Sequence, residues 1–130
     1  MVSLHKEEIL ELLEFVAATA EKIIKRTSMI ESVDDFLLSD AGMEKMDAAC
    51  MLMQVIGENL KIIDNKTDHK LLSQYPEVSW KGAIGMRDFI SHHYIGVDPD
   101  IIFITIKQRM PSLLDAVNHI INDLKTEEDK

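Results

Sequence analysis

The 130-residue sequence has few of the residues that reinforce small domains or interrupt helices. Its single cysteine, Cys50, excludes an internal disulfide and does not by itself supply a zinc site. Only three prolines are present. Every uninterrupted run of apolar residues is only a few residues long, as at residues 101–104. A membrane-spanning helix requires roughly 20 apolar residues, so none is expected. Packing, or contact with a partner chain, must therefore stabilise the fold.

The amino-terminal end also lacks the apolar segment of a signal peptide. Charged side chains follow one another there instead, namely those of Lys6, Glu7, Glu8 and Glu11. Because no export signal is expected, the sequence predicts a cytoplasmic protein.

Basic residues are scarce relative to acidic ones, with 14 Lys and Arg against 23 Asp and Glu and a formal net charge of −9. Such a chain is not expected to bind nucleic acid over a broad face, because that mode requires Lys and Arg to neutralise many phosphates. The acidity is uneven, since residues 79–111 carry a net charge of +1 and the remainder carries −10. The basic residues of that segment are Lys81, Arg87, Lys107 and Arg109. Any RNA contact in this segment is therefore expected to be local and short.

Helical periodicity is the clearest positive signal in the sequence. Apolar residues recur at steps of three and four over roughly residues 4–28, and again from about residue 43 to residue 66. Ser79 is the predicted N-cap of a third helix that extends to Tyr94. Asp98 followed by Pro99 is a strong start signal for a fourth helix. No alternation typical of strands stands out.

These elements predict an all-α, up-and-down bundle of four main helices, formed by a single domain over residues 1–130. Short helical turns are expected near Phe36, with Ser32 or Asp34 as the cap, and at Leu71 and Leu72. The last helix is expected to be kinked at Pro111, which has no N–H and crowds the carbonyl of the residue four positions earlier.

Polar chemistry is concentrated between residues 85 and 99. Within eight consecutive positions lie Arg87, Asp88, Ser91, His92, His93 and Tyr94. On a regular helix, position 92 lies about 140° around the axis from position 87. One site containing both Arg87 and His92 therefore requires the helix to unwind or end near His92, or a second copy of the chain related by a twofold axis.

The order Arg87, His92, Tyr94 resembles the signature of the HepT-type toxins of the HEPN superfamily. Further parts of the chain that resemble the family's pattern are residues 55–58, 85–88, 96–98 and 110–113. The resemblance extends over residues of about 45 to 121. One departure is Asp88, where the family often has Asn, and this acidic residue adds negative charge at the place where RNA approaches.

The resemblance implies an endoribonuclease toxin of a toxin–antitoxin pair, acting as a homodimer without a metal or other cofactor. Arg87 is implied to balance charge on the phosphate, and His92 to transfer protons while the RNA 2′-hydroxyl attacks. Asp88 and Ser91 are candidates for orienting these two groups. The resemblance also implies a nucleotidyltransferase antitoxin, which silences the toxin by binding or by attaching AMP to Tyr94.

Simpler interpretations exist for the same residues. Arg87 and Asp88 can form an ordinary surface ion pair that contributes little. His92 and the adjacent His93 point about 100° apart on a helix, which argues against a shared metal. Cys50 is expected to be a core residue. The alternative function is a non-enzymatic helical module that binds and positions substrates for a nucleotidyltransferase encoded elsewhere.

Overall fold

A computed structural model describes the backbone of residues 3–93 and 96–128, and the side chains of residues 5–90 and 96–127. Within these ranges the chain forms helices and no strands. The elements are α1 (Ser3–Arg26), α2 (Val33–Leu37), α3 (Asp40–Lys66), a 3₁₀ turn (Leu72–Gln74), α4 (Trp80–His93), α5 (Pro99–Ile104), a π-helical turn (Thr105–Arg109) and α6 (Met110–Glu128). The predicted all-α bundle is confirmed. None of the helices in the described ranges is both long and apolar enough to cross a membrane.

Helix α3 is central to the packing. It contacts α1 on one side and α4 on another, while α1 also packs against α6. The apolar stripes predicted from the sequence form this core, and its fully buried side chains include Ile9, Leu13, Ile23, Met53, Ile56, Leu60, Ile63 and Ile106. Each such side chain contributes about 1.5–3 kcal/mol by leaving water. Burial of these stripes is therefore the main source of stability.

The connection between α1 and α3 is short and tightly capped. Ser32 is the N-cap of α2, as predicted, and its backbone N–H donates to the Asp35 carboxylate at 3.2 Å. The Ser39 hydroxyl accepts from the Gly42 N–H at 2.9 Å and so caps α3. Gly42 lies in the first turn of α3. A Cβ at Gly42 would lie only 2.1 Å from the Asp35 carbonyl oxygen, so the close approach of α2 to α3 requires glycine there.

The predicted irregularity at Pro111 takes the form of a π turn. The N–H of Met110 donates to the carbonyl of Thr105, five residues earlier, instead of four. Pro111 has no N–H to offer the carbonyl of Lys107, so the α pattern cannot continue through this point. The helix widens over Thr105–Arg109 and returns to the α form in α6.

Candidate functional site

The start of α4 is fixed by two hydrogen bonds that involve the preceding connection. The Ser79 hydroxyl accepts from the Gly82 N–H at 3.3 Å, which confirms Ser79 as the N-cap. The Trp80 indole N–H donates to the Tyr75 carbonyl at 2.7 Å in a buried position. These bonds set where the helix that carries the motif begins.

Gly57 brings α3 close to the turn of α4 that carries Arg87. A Cβ at Gly57 would lie 3.0 Å from the Ile84 carbonyl oxygen and 3.1 Å from the Arg87 backbone nitrogen. These are backbone atoms inside a helix and have little freedom to move. Glycine at position 57 therefore permits the close packing of α3 against α4.

The Arg87 side chain is 47% exposed on the surface of α4. Its Nη1 lies 3.9 Å from Oδ1 of Asp88, whose side chain is 67% exposed. An exposed ion pair at this distance contributes little energy, so it restrains the two side chains only weakly. The planar guanidinium therefore remains accessible to an anion from solution.

Helix α4 continues through position 92 to His93. Because position 92 is still helical, positions 87 and 92 keep their separation of about 140° around one axis. The side chains of Ser91, His92 and His93 lie outside the described residues, as does Tyr94 altogether.

An open groove of about 830 Å³ separates α4 from the segment formed by α5, the π turn and α6. Its lining includes Met86, Phe89, Ile101, Thr105, Gln108 and Arg109. Arg87 does not contribute to it. Sequence reasoning did not identify Gln108 and Arg109 as groove residues, although Pro111 signalled the irregular turn that presents them.

The basic side chains of residues 79–111 do not all extend into solvent. The Lys107 ammonium donates to the Thr27 carbonyl at 2.9 Å, beyond the carboxyl-terminal end of α1. The same carbonyl also accepts from the Ile30 N–H at 3.0 Å, so Lys107 adds a second hydrogen bond at the end of α1. Lys107 is therefore part of the fold, which leaves Lys81, Arg87 and Arg109 as the solvent-exposed cations of residues 79–111.

A second polar cluster lies between the 67–79 connection and α6. The Tyr75 hydroxyl donates to the Asp123 carboxylate at 2.6 Å, and the tyrosine ring packs edge-on against His119. His119 also lies 3.4 Å from Asp123 and 3.6 Å from Glu77. Burial, together with the bond to Asp123, raises the pKa of Tyr75. His119 is exposed, and its contacts with Glu77 and Asp123 make it a member of this cluster.

The described residues were also compared with the side-chain groups that bind metal ions. Among the residues that the structure describes, no three His, Cys, Asp or Glu side chains form a group able to hold a metal ion.

Comparison with known proteins identifies a family and individual relatives that this chain resembles. Residues 16–120 match the family described as "Ribonuclease HepT-like". The chain is 36% identical over 101 residues to "Probable ribonuclease HepT" of Thermococcus cleftensis, an alignment that covers 78% of this chain and 84% of that protein. It is 32% identical over 113 residues to "Putative RNase TTE0752" of Caldanaerobacter subterraneus subsp. tengcongensis, covering 87% and 94%.

No solved structure matches this chain. The family match, however, extends over the second half of α1 from residue 16, all of α3 and α4, and most of α6. The chain therefore belongs to the HepT-like ribonuclease family.

Proposed function

We propose that the protein is a metal-independent endoribonuclease toxin in which Arg87 and His92 act on the RNA backbone. The observation that carries this proposal is the position of the motif. Arg87, His92 and Tyr94 all fall inside the region that matches a ribonuclease family, and the Arg87 side chain is open to solvent. The names of two relatives as ribonucleases support the same activity.

The proposed reaction needs no protein nucleophile. The 2′-oxygen of one nucleotide attacks the adjacent phosphorus and loses its proton, while the bond from phosphorus to the 5′-oxygen breaks and that oxygen gains a proton. The products are a 2′,3′-cyclic phosphate and a 5′-hydroxyl. His92 transfers these protons, since an imidazole titrates near neutral pH. Arg87 binds the phosphate oxygens as their charge increases, and Asp88 and Ser91 orient these two groups.

The active form is a homodimer in this proposal. Positions 87 and 92 lie about 140° apart on one helix, so a single copy of α4 does not direct both toward one phosphate. A twofold axis beside α4 brings Arg87 of one chain toward His92 of the other. The cleft between two copies of α4 is then the place where RNA is cut.

The proposed partner is a nucleotidyltransferase antitoxin. It silences the toxin by binding, or by transferring AMP from ATP to the Tyr94 phenol with release of pyrophosphate. The phosphate so added repels the RNA backbone and competes for Arg87. Intact-mass measurement after mixing the protein with a nucleotidyltransferase and ATP is expected to show additions in multiples of AMP. Additions that persist in Tyr94→Phe would contradict this site.

An RNA cleavage assay in EDTA tests the activity itself. Labelled single-stranded RNA is expected to yield fragments that end in a cyclic phosphate. Arg87→Ala and His92→Ala are each expected to slow cleavage by about 10²-fold or more. Arg26→Ala is the matched control, because Arg26 is an exposed arginine on α1, outside the motif helix.

Cleavage at the same rate in all three variants would refute the proposed roles of Arg87 and His92. Absence of cleavage by the free protein, together with tight co-purification of a nucleotidyltransferase, would favour the non-enzymatic module instead.

A further inference from the structure

The groove between α4 and the α5–α6 segment has no role in the function proposed above. Helix α4 packs mainly against α3, so its side toward α5 and α6 stays open. Apolar side chains remain accessible there, with Phe89 exposed by 40% and Ile101 by 46%. This open space of about 830 Å³ is large enough for a nucleotide.

Across the groove from Phe89, the π turn presents two polar side chains, those of Gln108 and Arg109. Both are exposed, and neither side chain forms a hydrogen bond or ion pair with any residue that the structure describes. Their neighbour Lys107 contrasts with them, because its ammonium is bound to the Thr27 carbonyl. The wide turn therefore places an amide and a guanidinium with unused donors at the rim of an apolar groove.

An apolar wall facing unpaired donors fits a nucleotide better than an apolar protein segment. A base stacks on Phe89 and makes use of the exposed ring. A phosphate offers two oxygens to the planar fork of Arg109. An apolar segment would instead bury the donors of Arg109 and Gln108 unpaired, which is unfavourable.

Charge also orients the nucleotide within the groove. Glu77 lines the groove as well, and it lies 3.6 Å from His119 of α6. A carboxylate repels phosphate, whereas Arg109 attracts it. The phosphate is therefore expected beside Arg109, away from Glu77.

We infer that the groove binds one nucleotide of single-stranded RNA, several nucleotides along the strand from the cleavage position, with the base against Phe89 and the phosphate on Arg109. The inference rests on the proposed function for its choice of RNA. Phe89 and Arg87 are both exposed on α4, about 160° apart around its axis. Around a helix that is about 10–12 Å across, this separation is roughly 15 Å, so a strand that advances about 3.4 Å per stacked nucleotide passes from the groove to Arg87 within about five nucleotides.

Binding of a 12-nucleotide 2′-O-methyl RNA, which lacks the attacking hydroxyl, tests this inference without any cleavage. Fluorescence anisotropy is expected to show about tenfold weaker binding by Arg109→Gln, equivalent to about 1.4 kcal/mol. Phe89→Leu keeps an apolar side chain but removes the aromatic face, and it is expected to weaken binding about fivefold. Arg26→Gln, with the same loss of charge on α1, is expected to bind like the wild type.

Two further measurements separate a nucleotide contact from a structural role. Arg109→Gln is expected to lower the slope of log K against log salt concentration by about 0.7, the contribution of one phosphate on a single strand. In cleavage assays the same variant is expected to raise KM while leaving kcat unchanged. Sedimentation is expected to show the same mass for Arg109→Gln, Phe89→Leu and the wild type.

Several outcomes would overturn the inference. One is wild-type affinity for the 2′-O-methyl RNA in both groove variants, and another is no binding of this RNA by the wild type. Dissociation of the protein by Phe89→Leu would show instead that the groove is an interface between copies. Binding that depends on Arg109 without cleavage of ordinary RNA would contradict the proposed function alone, and cleavage independent of Arg109 would contradict the groove site alone.

Discussion

At the scale of single residues, the bond between Tyr75 and Asp123 connects the 67–79 segment to α6. The Tyr75 hydroxyl lies 2.6 Å from a carboxylate oxygen, and Tyr75 is only 8% exposed. Hydrogen bonds to charged groups contribute about 1.5–3 kcal/mol, so Tyr75→Phe is expected to lower the free energy of unfolding by about 2 kcal/mol. Urea denaturation at pH 7 measures this change.

The control for this prediction is Asp123→Asn, in which the partner loses its charge. Tyr75→Phe introduced into that background is expected to cost clearly less than it does in the wild type, because the charge-assisted bond is already gone. Equal costs in the two backgrounds would show that the Tyr75 hydroxyl acts independently of Asp123.

Cys50 gives a second prediction at this scale. Its side chain lies in the core, and burial raises its pKa to about 11. Only the thiolate attacks a disulfide reagent, so the native protein at pH 8 is expected to react with a chromogenic disulfide many times more slowly than the urea-unfolded protein. Reaction of the native protein at the unfolded rate would contradict the buried position.

Residue-level prediction from sequence succeeded where the signal is local. Ser32, Ser79 and Asp98 all lie at helix starts, because a capping side chain acts on backbone two or three residues away. The environment of His119 was missed for the opposite reason. Its partners include residues more than 40 positions away in the chain, and no local pattern relates them.

At the scale of elements, two glycines in helices provide a matched test of how α3 and α4 pack. An added Cβ at Gly57 would meet backbone atoms of α4 at 3.0–3.1 Å, whereas one at Gly85 would meet nothing within 4 Å. Gly85→Ala is expected to stabilise the protein by up to about 1 kcal/mol through helix propensity. Gly57→Ala is expected to destabilise it by about 1–2 kcal/mol, because crowding outweighs that gain.

Thermal and urea denaturation of both variants measure the difference. Equal stabilisation by the two alanines would show that α4 moves away from α3 without cost. The more severe change Gly57→Val is expected to reduce both stability and any RNA cleavage, since it displaces the turn that carries Arg87.

The elements themselves were predicted more completely than their arrangement. The long apolar stripes and the Asp98–Pro99 signal indicated the helices, and Pro111 indicated the interruption of the last one. The open groove was not predicted. Met86, Phe89 and Ile101 have the spacing of core residues, and periodicity alone does not say whether an apolar face has a partner within the same chain.

At the scale of the whole molecule, the uneven charge makes a prediction about salt. The chain carries −9, and Lys107 is bound to the end of α1, so few cations are left near the motif. With Arg87, Arg109 and Lys81 as the phosphate contacts, the slope of log K against log salt concentration is expected to be about −2 per chain, at about 0.7 per phosphate.

Titration of single-stranded RNA binding over a range of KCl concentrations measures this slope. A slope steeper than about −4 per chain would require phosphate contacts beyond these three residues, and would contradict a short local site. The acidic remainder of the surface is then expected to repel RNA and to keep it within the region around α4.

The π turn has a consequence for how the length of this chain can change. A π turn contains one more residue than an α turn, and each residue of a helix rotates the following ones by about 100°. The turn thus takes up one residue without rotating the helix on either side of it, so one further residue inserted between Ile106 and Met110, both buried, would turn Ile106 and everything before it in that helix by this angle relative to α6 and expose part of the core. Within the same stretch, the bond from Lys107 to the Thr27 carbonyl limits substitution as well.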